Sequence, residues 1–269
     1  MRYFLLIVGF VFVLSVNGWA HDDWDLATSS DDTAAGTINT LWHTAPPQIH
    51  DLQSPGSGQI DVDWFRIFPR IHRSYEVQVL NVTGDSQTWG NYGEQVSRWD
   101  AAGATMYQSS DNLDIGGNHL NTLRWISTAN TEQRIWVNNQ NTSSTAYSKY
   151  TIQLFDTTLF CPRFNNAGSQ VSVLIAQAAF PDGAFPFGGC NCTAYFYNEA
   201  GTLLTSSTWI LNDANMNVIA LSSLGPLTGQ KGSARIAHDC GWGGIAAKLV
   251  ALEPSTGFSF DTLCTYLPR

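Results

Sequence analysis

His238-Asp-Cys-Gly-Trp-Gly-Gly244 places an imidazole, a carboxylate and a thiol in consecutive positions beside a glycine-rich turn. A histidine bonded to a thiol or a carboxylate can activate a nucleophile. Successive residues of an extended segment point to opposite faces, however, so His238, Asp239 and Cys240 are poorly placed to bond one another on a strand. A bridged Cys240 would be no nucleophile. The chain has neither the Gly-x-Ser-x-Gly elbow of many serine hydrolases nor the His-Glu-x-x-His of zinc hydrolases. Haem attachment through Cys-x-x-Cys-His and glycine-rich phosphate loops are also missing. The six histidines (His21, His43, His50, His72, His119 and His238) are scattered singly and read as surface or satisfied loop residues. These observations point away from an enzyme and from any cofactor, and they assign neither catalytic nor metal-binding residues.

Three other groups could bind. Cys190-Asn-Cys192 has a spacing that two metal ligands could use, but no adjacent histidine completes a set, so structural cysteines are expected. Asp61 and Asp63 share a strand face roughly 6.5–7 Å apart, a separation that an ion or water could bridge; a structural role is the simpler reading. Asp22, Asp23, Asp25, Asp31 and Asp32 cluster near the start, but their spacing matches no calcium loop. Aromatics are the remaining lead. Trp89, Tyr92 and Trp99 fall in turn-rich sequence and Trp242 sits in the glycine loop, where planar rings could stack on a sugar or dock a peptide.

The elements that must position these residues are strands. Tyr75, Val77 and Val79 alternate with Ser74, Glu76 and Gln78, and Ile60, Val62 and Trp64 alternate with Asp61, Asp63 and Phe65, the period of a strand with one dry face. The two runs read as the arms of a hairpin. Further strands are expected at Val96–Tyr107, folded about an Asp100–Gly103 turn, and at Leu120–Ser127, Gln133–Asn138 and Tyr147–Phe155. Phe160–Ser169 reads as a boundary punctuated by Pro162 and Gly168. Beyond it lie Val171–Ala179, two strands flanking an Asn198–Gly201 hairpin turn, Val218–Leu221, Gly232–His238 and Ile245–Leu252, the last also compatible with a short helix. Short strands at intervals of roughly 8–12 residues favour sandwiches over βαβ units.

Arg2 followed by the apolar run Phe4–Val16 and Gly18-Trp-Ala20 reads as a signal peptide, cleaved before His21. The run is short for a bilayer span, which needs about 20 apolar residues, so no stable membrane span is expected after cleavage. Cleavage would leave 12 basic and 22 acidic residues, a net charge of −10. An acidic surface with only Lys149, Lys231 and Lys248 repels phosphate backbones and excludes a nucleic-acid partner. All five cysteines (Cys161, Cys190, Cys192, Cys240 and Cys264) lie in the second half, which suits disulfides in one exported domain. Cys161 and Cys264, near the ends of that half, are expected to pair as terminal strands meet. Cys240 would take Cys190 or Cys192, leaving one thiol free or available to another molecule.

His50-Asp-Leu, Asp61-Val-Asp-Trp-Phe-Arg-Ile, Ser74-Tyr-Glu-Val-Gln-Val and Tyr150-Thr-Ile-Gln-Leu together resemble the bacterial pre-peptidase C-terminal domain over about residues 35–156. The resemblance implies a jelly-roll-like sandwich on an exported bacterial protein, often beside a secreted peptidase, with Asp61 and Asp63 in the fold signature. This chain departs from the pattern at Arg70-Ile-His-Arg73, where family members commonly carry glycine, and it bears no peptidase signature. Residues 253–262 vaguely resemble segments of uncharacterised exported bacterial β-domains, which implies no function.

The expectation is therefore an all-β protein: signal peptide 1–20, flexible acidic leader 21–36, and tandem antiparallel sandwiches over 37–158 and 159–269. Its role would be binding or scaffolding outside the cell, with a glycan or protein ligand at Trp89, Tyr92, Trp99 or Trp242. An accessory of a secreted peptidase, a cryptic hydrolase, or self-assembly through the odd cysteine and strand edges are the other readings.

Overall fold

The computed structural model describes residues 31–53, 62–84, 94–110, 120–139, 147–179 and 189–268. The signal segment, most of the acidic leader, Asp61, Trp89 and Tyr92 lie outside the described residues. The first half comprises β1 (Gln48–Gln53), β2 (Val62–Ile67), β3 (Ser74–Gly84), β4 (Glu94–Asp100), β5 (Met106–Ser110), β6 (Leu120–Ile126), β7 (Gln133–Asn139) and β8 (Tyr147–Asp156). The second comprises β9 (Leu159–Asn165), β10 (Val171–Ala178), β11 (Cys190–Asn198), β12 (Leu203–Leu211), β13 (Met216–Ala220), β14 (Lys231–His238), β15 (Ile245–Glu253) and β16 (Phe258–Leu263). They form four antiparallel four-stranded sheets, ordered β1-β8-β3-β6, β2-β7-β4-β5, β12-β11-β14-β9 and β13-β10-β15-β16.

Two sheets pack over each core. Phe65, Ile135 and Val137 meet Val77, Leu123 and Ile152 in the first sandwich. Leu174, Ala176 and Leu249 meet Ala194, Phe196 and Ile236 in the second. Alternation decides these faces: β2 runs half-buried, buried, half-buried along its length, with Asp63, Phe65 and Ile67 inward. The turns form where the sequence offers turn chemistry. Gly103 and Gly201 take φ of +69° and +80°, which a side chain would disfavour, and Asn198 Oδ1 accepts from the Ala200 and Thr202 amides.

Three details differ from the sequence reading. β2 and β3 are not a hairpin: β2 pairs with β7 in one sheet, and β3 with β6 and β8 in the facing one. Alternation reveals which face is dry and not which strand is the neighbour, so two consecutive amphipathic strands mimic a hairpin. Phe160–Asn165 is part of β9, not a boundary; Pro162 is tolerated because β9 is an edge strand. Of the two forms open to residues 245–252, the strand is the one found. Within the supposedly flexible leader, residues 31–36 pack onto the β2-β7-β4-β5 sheet. Asp31 is buried and accepts from Asn39 Nδ2 at 2.8 Å, its carbonyl accepts the Trp64 amide, and Ala34 O accepts from Arg134 Nε at 2.7 Å.

The joint between the sandwiches is short and buried. Asp156, Thr157 and Thr158 connect β8 to β9 with almost no exposure. Thr157 donates its amide to Ser74 O and its hydroxyl to Ser74 Oγ, while Ser74 donates its amide to Thr158 Oγ1 at 2.9 Å. Arg73 Nη1 pairs with Asp156 Oδ2 at 2.8 Å. Backbone groups satisfied this way leave little freedom for one sandwich to swing against the other.

Candidate functional site

At the end of β14, His238, Asp239 and Cys240 diverge into separate structural tasks. His238 is fully buried, and burial pushes its imidazole down to about 3, so it is neutral at pH 7. Its Nδ1 accepts the Cys240 amide at 3.3 Å, which leaves the proton on Nε2, facing Tyr266 Oη at 3.4 Å. Asp239 turns the other way, accepting from the Asn191 amide at 2.6 Å and Asn191 Nδ2 at 2.7 Å. Cys240 is bridged to Cys190, and a second disulfide joins Cys161 to Cys264. Cys192 is the remaining thiol. It is buried, and burial, with Asp239 adding to it, pushes the thiol up to about 12. A thiol held protonated inside a core is inert, so linking two chains through Cys192 would require the core to open. Among the described residues, the group of ligand atoms close enough to share an ion is Cys190, Cys192 and Cys240, with Sγ atoms within 4.8 Å of one another. The Cys190–Cys240 bridge takes up two of those three donors.

The glycine loop that follows is the clasp of the joint. Glu76, on the outer face of β3, is buried; it accepts from Arg124 Nε at 2.8 Å, the Trp242 amide at 3.0 Å and Gln78 Nε2. Gly241 has φ of +90°, and a Cβ there would lie 2.7 Å from Glu76 Oε2 and 2.8 Å from the Arg124 guanidinium. Only glycine lets the loop come this close. The Trp242 ring packs on Tyr266 at 4.8 Å, His43 at 5.7 Å and Phe155 at 5.8 Å. The half-buried Trp242 ring thus packs into the seam between the sandwiches. On the other side of the joint, His72 stacks on Tyr195 at 4.2 Å and its Nδ1 lies 2.9 Å from Tyr197 Oη. Burial, then the nearby Arg235 charge, lowers the His72 pKa.

Trp99 does not sit alone in a turn. It belongs to β4 and packs edge-on against Trp64 and Trp136 at 5.9 and 6.3 Å, with its Nε1 donating to Ser97 Oγ. Trp64 and Trp136 are register partners, so the three rings form a half-buried cross-strand cluster partly roofed by Ala34 and Gly103. Asp63 faces the core, where the Tyr150 hydroxyl donates to its Oδ2. His50 stacks on the Tyr150 ring and meets the edge of Phe65. The carboxylate thus belongs to an internal polar knot rather than to an open ion site.

An exposed, stacked aromatic pair lies where neither turn composition nor glycine content signalled it. Residues 39–41 run beside β2, with the Arg66 amide donating to Asn39 O and the Leu41 amide to Arg66 O. This edge brings Trp42, 56% exposed, onto Phe68, 39% exposed. The rings stack at 5.4 Å with planes 15° apart, and the Arg66 guanidinium lies 5.3 Å from the Phe68 centroid. Arg66 Nε also donates to Glu132 Oε1 at 2.8 Å, and Arg134 reaches the same oxygen. These bonds, that from Arg66 first, hold the Glu132 carboxyl below the usual carboxylate range. An open ring face bordered by guanidinium and carboxylate can stack on an apolar surface while bonding hydroxyls at its rim. A signal existed: Val62, Trp64, Arg66 and Phe68 continue one outward face by the period of two.

Fold and geometry define an all-β protein of two joined sandwiches with aromatic surface and no assembled reaction centre among the described residues. The chain matches no protein-family model and no curated protein. Among solved structures it is similar to the adhesin domain of Epf from Streptococcus pyogenes, at 11% identity over 84% of this chain and 75% of that one, with a TM-score of 0.25. It is also similar to the CBM22-1–CBM22-2 tandem of Paenibacillus barcinonensis Xyn10C, at 8% identity over 89% and 96% of the two chains, TM-score 0.23. The extracellular region of zebrafish Gpr126/Adgrg6 is matched at 10% identity over 81% of this chain, TM-score 0.23; the chain spans 30% of that region's length.

Proposed function

We propose that the protein is an exported, non-catalytic binding protein that holds a glycan against the Trp42–Phe68 stack, with Arg66 and Glu132 bonding sugar hydroxyls. The observation that carries this reading is the open face of Trp42, braced from behind by Phe68, at a position where burying the ring inside the fold has not been the outcome. Two disulfides suit an oxidising, extracellular setting, and among the described residues no helix is long and apolar enough to cross a membrane. The first sandwich, in this reading, is of the pre-peptidase C-terminal kind; the contacts among His50, Asp63, Phe65 and Tyr150 support a structural role for the motif residues that carry the resemblance.

Calorimetry and tryptophan fluorescence across a broad glycan panel test the reading. A binding glycan should lose at least about tenfold in affinity with Trp42→Ala, roughly 1.4 kcal/mol, at unchanged circular dichroism. A flat response across the panel, or binding indifferent to Trp42, would overturn it. Turnover of any protein, ester or glycan substrate would sink the non-catalytic part.

A further inference from the structure

Cys192 is a buried nucleophile packed against a bond that a thiol can attack. Its Sγ lies 4.0 Å from Cys240 Sγ, and the sulfurs of Cys190, Cys192 and Cys240 all lie within 4.8 Å of one another. The register explains the cluster. Cys192 stands opposite His238, and the Asp239 amide donates to Asn191 O, so Cys190 comes opposite Cys240 with Cys192 diagonal to it. Positions two apart on a strand share a face, and diagonal neighbours across an antiparallel pair remain within reach of each other. Cys190 and Cys192 are therefore turned toward the same partner, and all three side chains are buried in the core of the second sandwich. Cys240 lies past the last residue of β14. It can close the remaining gap to a bond of about 2 Å without shearing the strand pair.

We propose that Cys190 and Cys192 share Cys240, so that the folded domain holds two interconverting disulfide isomers, Cys190–Cys240 and Cys192–Cys240. The step balances within the chain. The Cys192 thiolate attacks Cys240 Sγ, and the Cys192–Cys240 bond forms as the Cys190–Cys240 bond breaks. Cys190 leaves as a thiolate and takes up the proton that Cys192 gave up. One disulfide and one thiol stand on each side, so no oxidant or reductant is consumed. Exchange moves the free thiol from within β11 to its first residue, Cys190. It also supplies the bridge with a resolving thiol. A small thiol that opens the bridge and is captured on Cys240 is expelled by Cys192, which forms a bridge again and returns the thiol unchanged.

Burial sets the rate. With the Cys192 thiol pushed up to about 12, roughly one chain in 100,000 carries the thiolate at pH 7, and that fraction rises about tenfold with each pH unit. So small a fraction shields Cys192 from reagents in solvent, but a sulfur already in contact needs no opening of the core. Exchange is therefore slow at neutral pH and steeply accelerated by base. The inference concerns the second sandwich alone and is independent of the glycan reading at Trp42.

The full chain, purified at about pH 5 where exchange is frozen, is moved to about pH 7, 8 or 9 without added thiol and sampled over time. Samples are quenched in acid, alkylated with N-ethylmaleimide in mildly acidic guanidinium, digested with pepsin and fragmented between Cys190 and Cys192 by mass spectrometry. Label should build up on Cys190 as well as Cys192, in at least about a tenth of the chains, about tenfold faster per pH unit. Cys161 and Cys264 should stay unlabelled. Label confined to Cys192 at every pH would overturn the proposal. So would label rising on Cys161 or Cys264 in step with Cys190, which would mean reshuffling through the unfolded chain. A second measurement uses Cys190→Ser refolded with oxidised glutathione. It should show neither free thiol nor bound glutathione in denaturant, because Cys192 takes over the bridge to Cys240. Two free or glutathione-capped thiols in that variant would equally overturn the proposal.

Discussion

The two sandwiches solve the same packing problem with different materials. The first fills its core with large side chains, Phe65, Tyr75, Trp125 and Tyr150 among Val, Ile and Leu, and its described residues include no cysteine. The second packs Phe164 edge-on against Phe196 at 5.9 Å, but surrounds them with Ala176, Ala194, Ala234, Ala247 and half-cystines. An alanine buries far less apolar area than a leucine or a tyrosine, so the hydrophobic return per strand is smaller there. The bridges Cys161–Cys264 and Cys190–Cys240 close separations of 103 and 50 residues and compensate by restricting the unfolded chain. Side-chain volume and covalent constraint are thus alternative means of stabilising one architecture.

Breaking the constraint should produce the largest effect. Closing a loop of that length accounts for about 5 kcal/mol in the chain-entropy description, so Cys161→Ser with Cys264→Ser should destabilise the second sandwich by up to that amount. Hydrogen exchange is the informative probe: protection should fall across β9–β16 and persist in β1–β8. Equal loss in both halves would mean that the joint couples them into one cooperative unit. Next in size is the reciprocal insult. Phe65→Ala removes a fully buried ring from the first core and should cost about 3–5 kcal/mol, read as a lower denaturant midpoint. Reducing agent should worsen the cysteine-dependent sandwich and leave the response to Phe65→Ala unchanged.

Much of this contrast was legible from the chain. Period-two alternation located most strands and the inward residues Tyr75, Val77, Val79, Tyr150 and Ile152, because burial on one face leaves a local imprint. The confinement of cysteine to the second half pointed to the bridged domain. Alternation could not distinguish β2 and β3 as members of facing sheets, since pairing is decided by residues some 70 positions away, as with Phe65 and Ile135. Nor could composition say that Trp242 packs in the joint: Phe155, His43 and Tyr266 converge on it from distant segments. The Trp42 stack stays hidden in the sequence because its partner Phe68 is 26 residues away and neither lies in a glycine-rich turn.

The smallest effect concerns the joint, where the sandwiches meet around an uncharged histidine. His238 titrates near 6.5 when unfolded but is held at about 3 by burial in the folded state. Above pH 6.5 both states carry the neutral ring and the residue adds no pH dependence. As pH falls below 6.5 the unfolded chain takes up a proton that the native state refuses, so stability is lost progressively through the window down to about 3. Between pH 7 and 5 the loss should be on the order of 2 kcal/mol, since each pH unit is worth about 1.4 kcal/mol for one such group. Urea melts at pH 7 and pH 5 measure it directly, and His238→Gln should flatten the slope even if it lowers stability at both values. A slope surviving that substitution would move the effect to His72, whose pKa is also lowered, and would make the opposite side of the joint the acid-sensitive one. Either result identifies which contact between the sandwiches yields first, and whether the disulfide-bridged half or the aromatic half leads the opening.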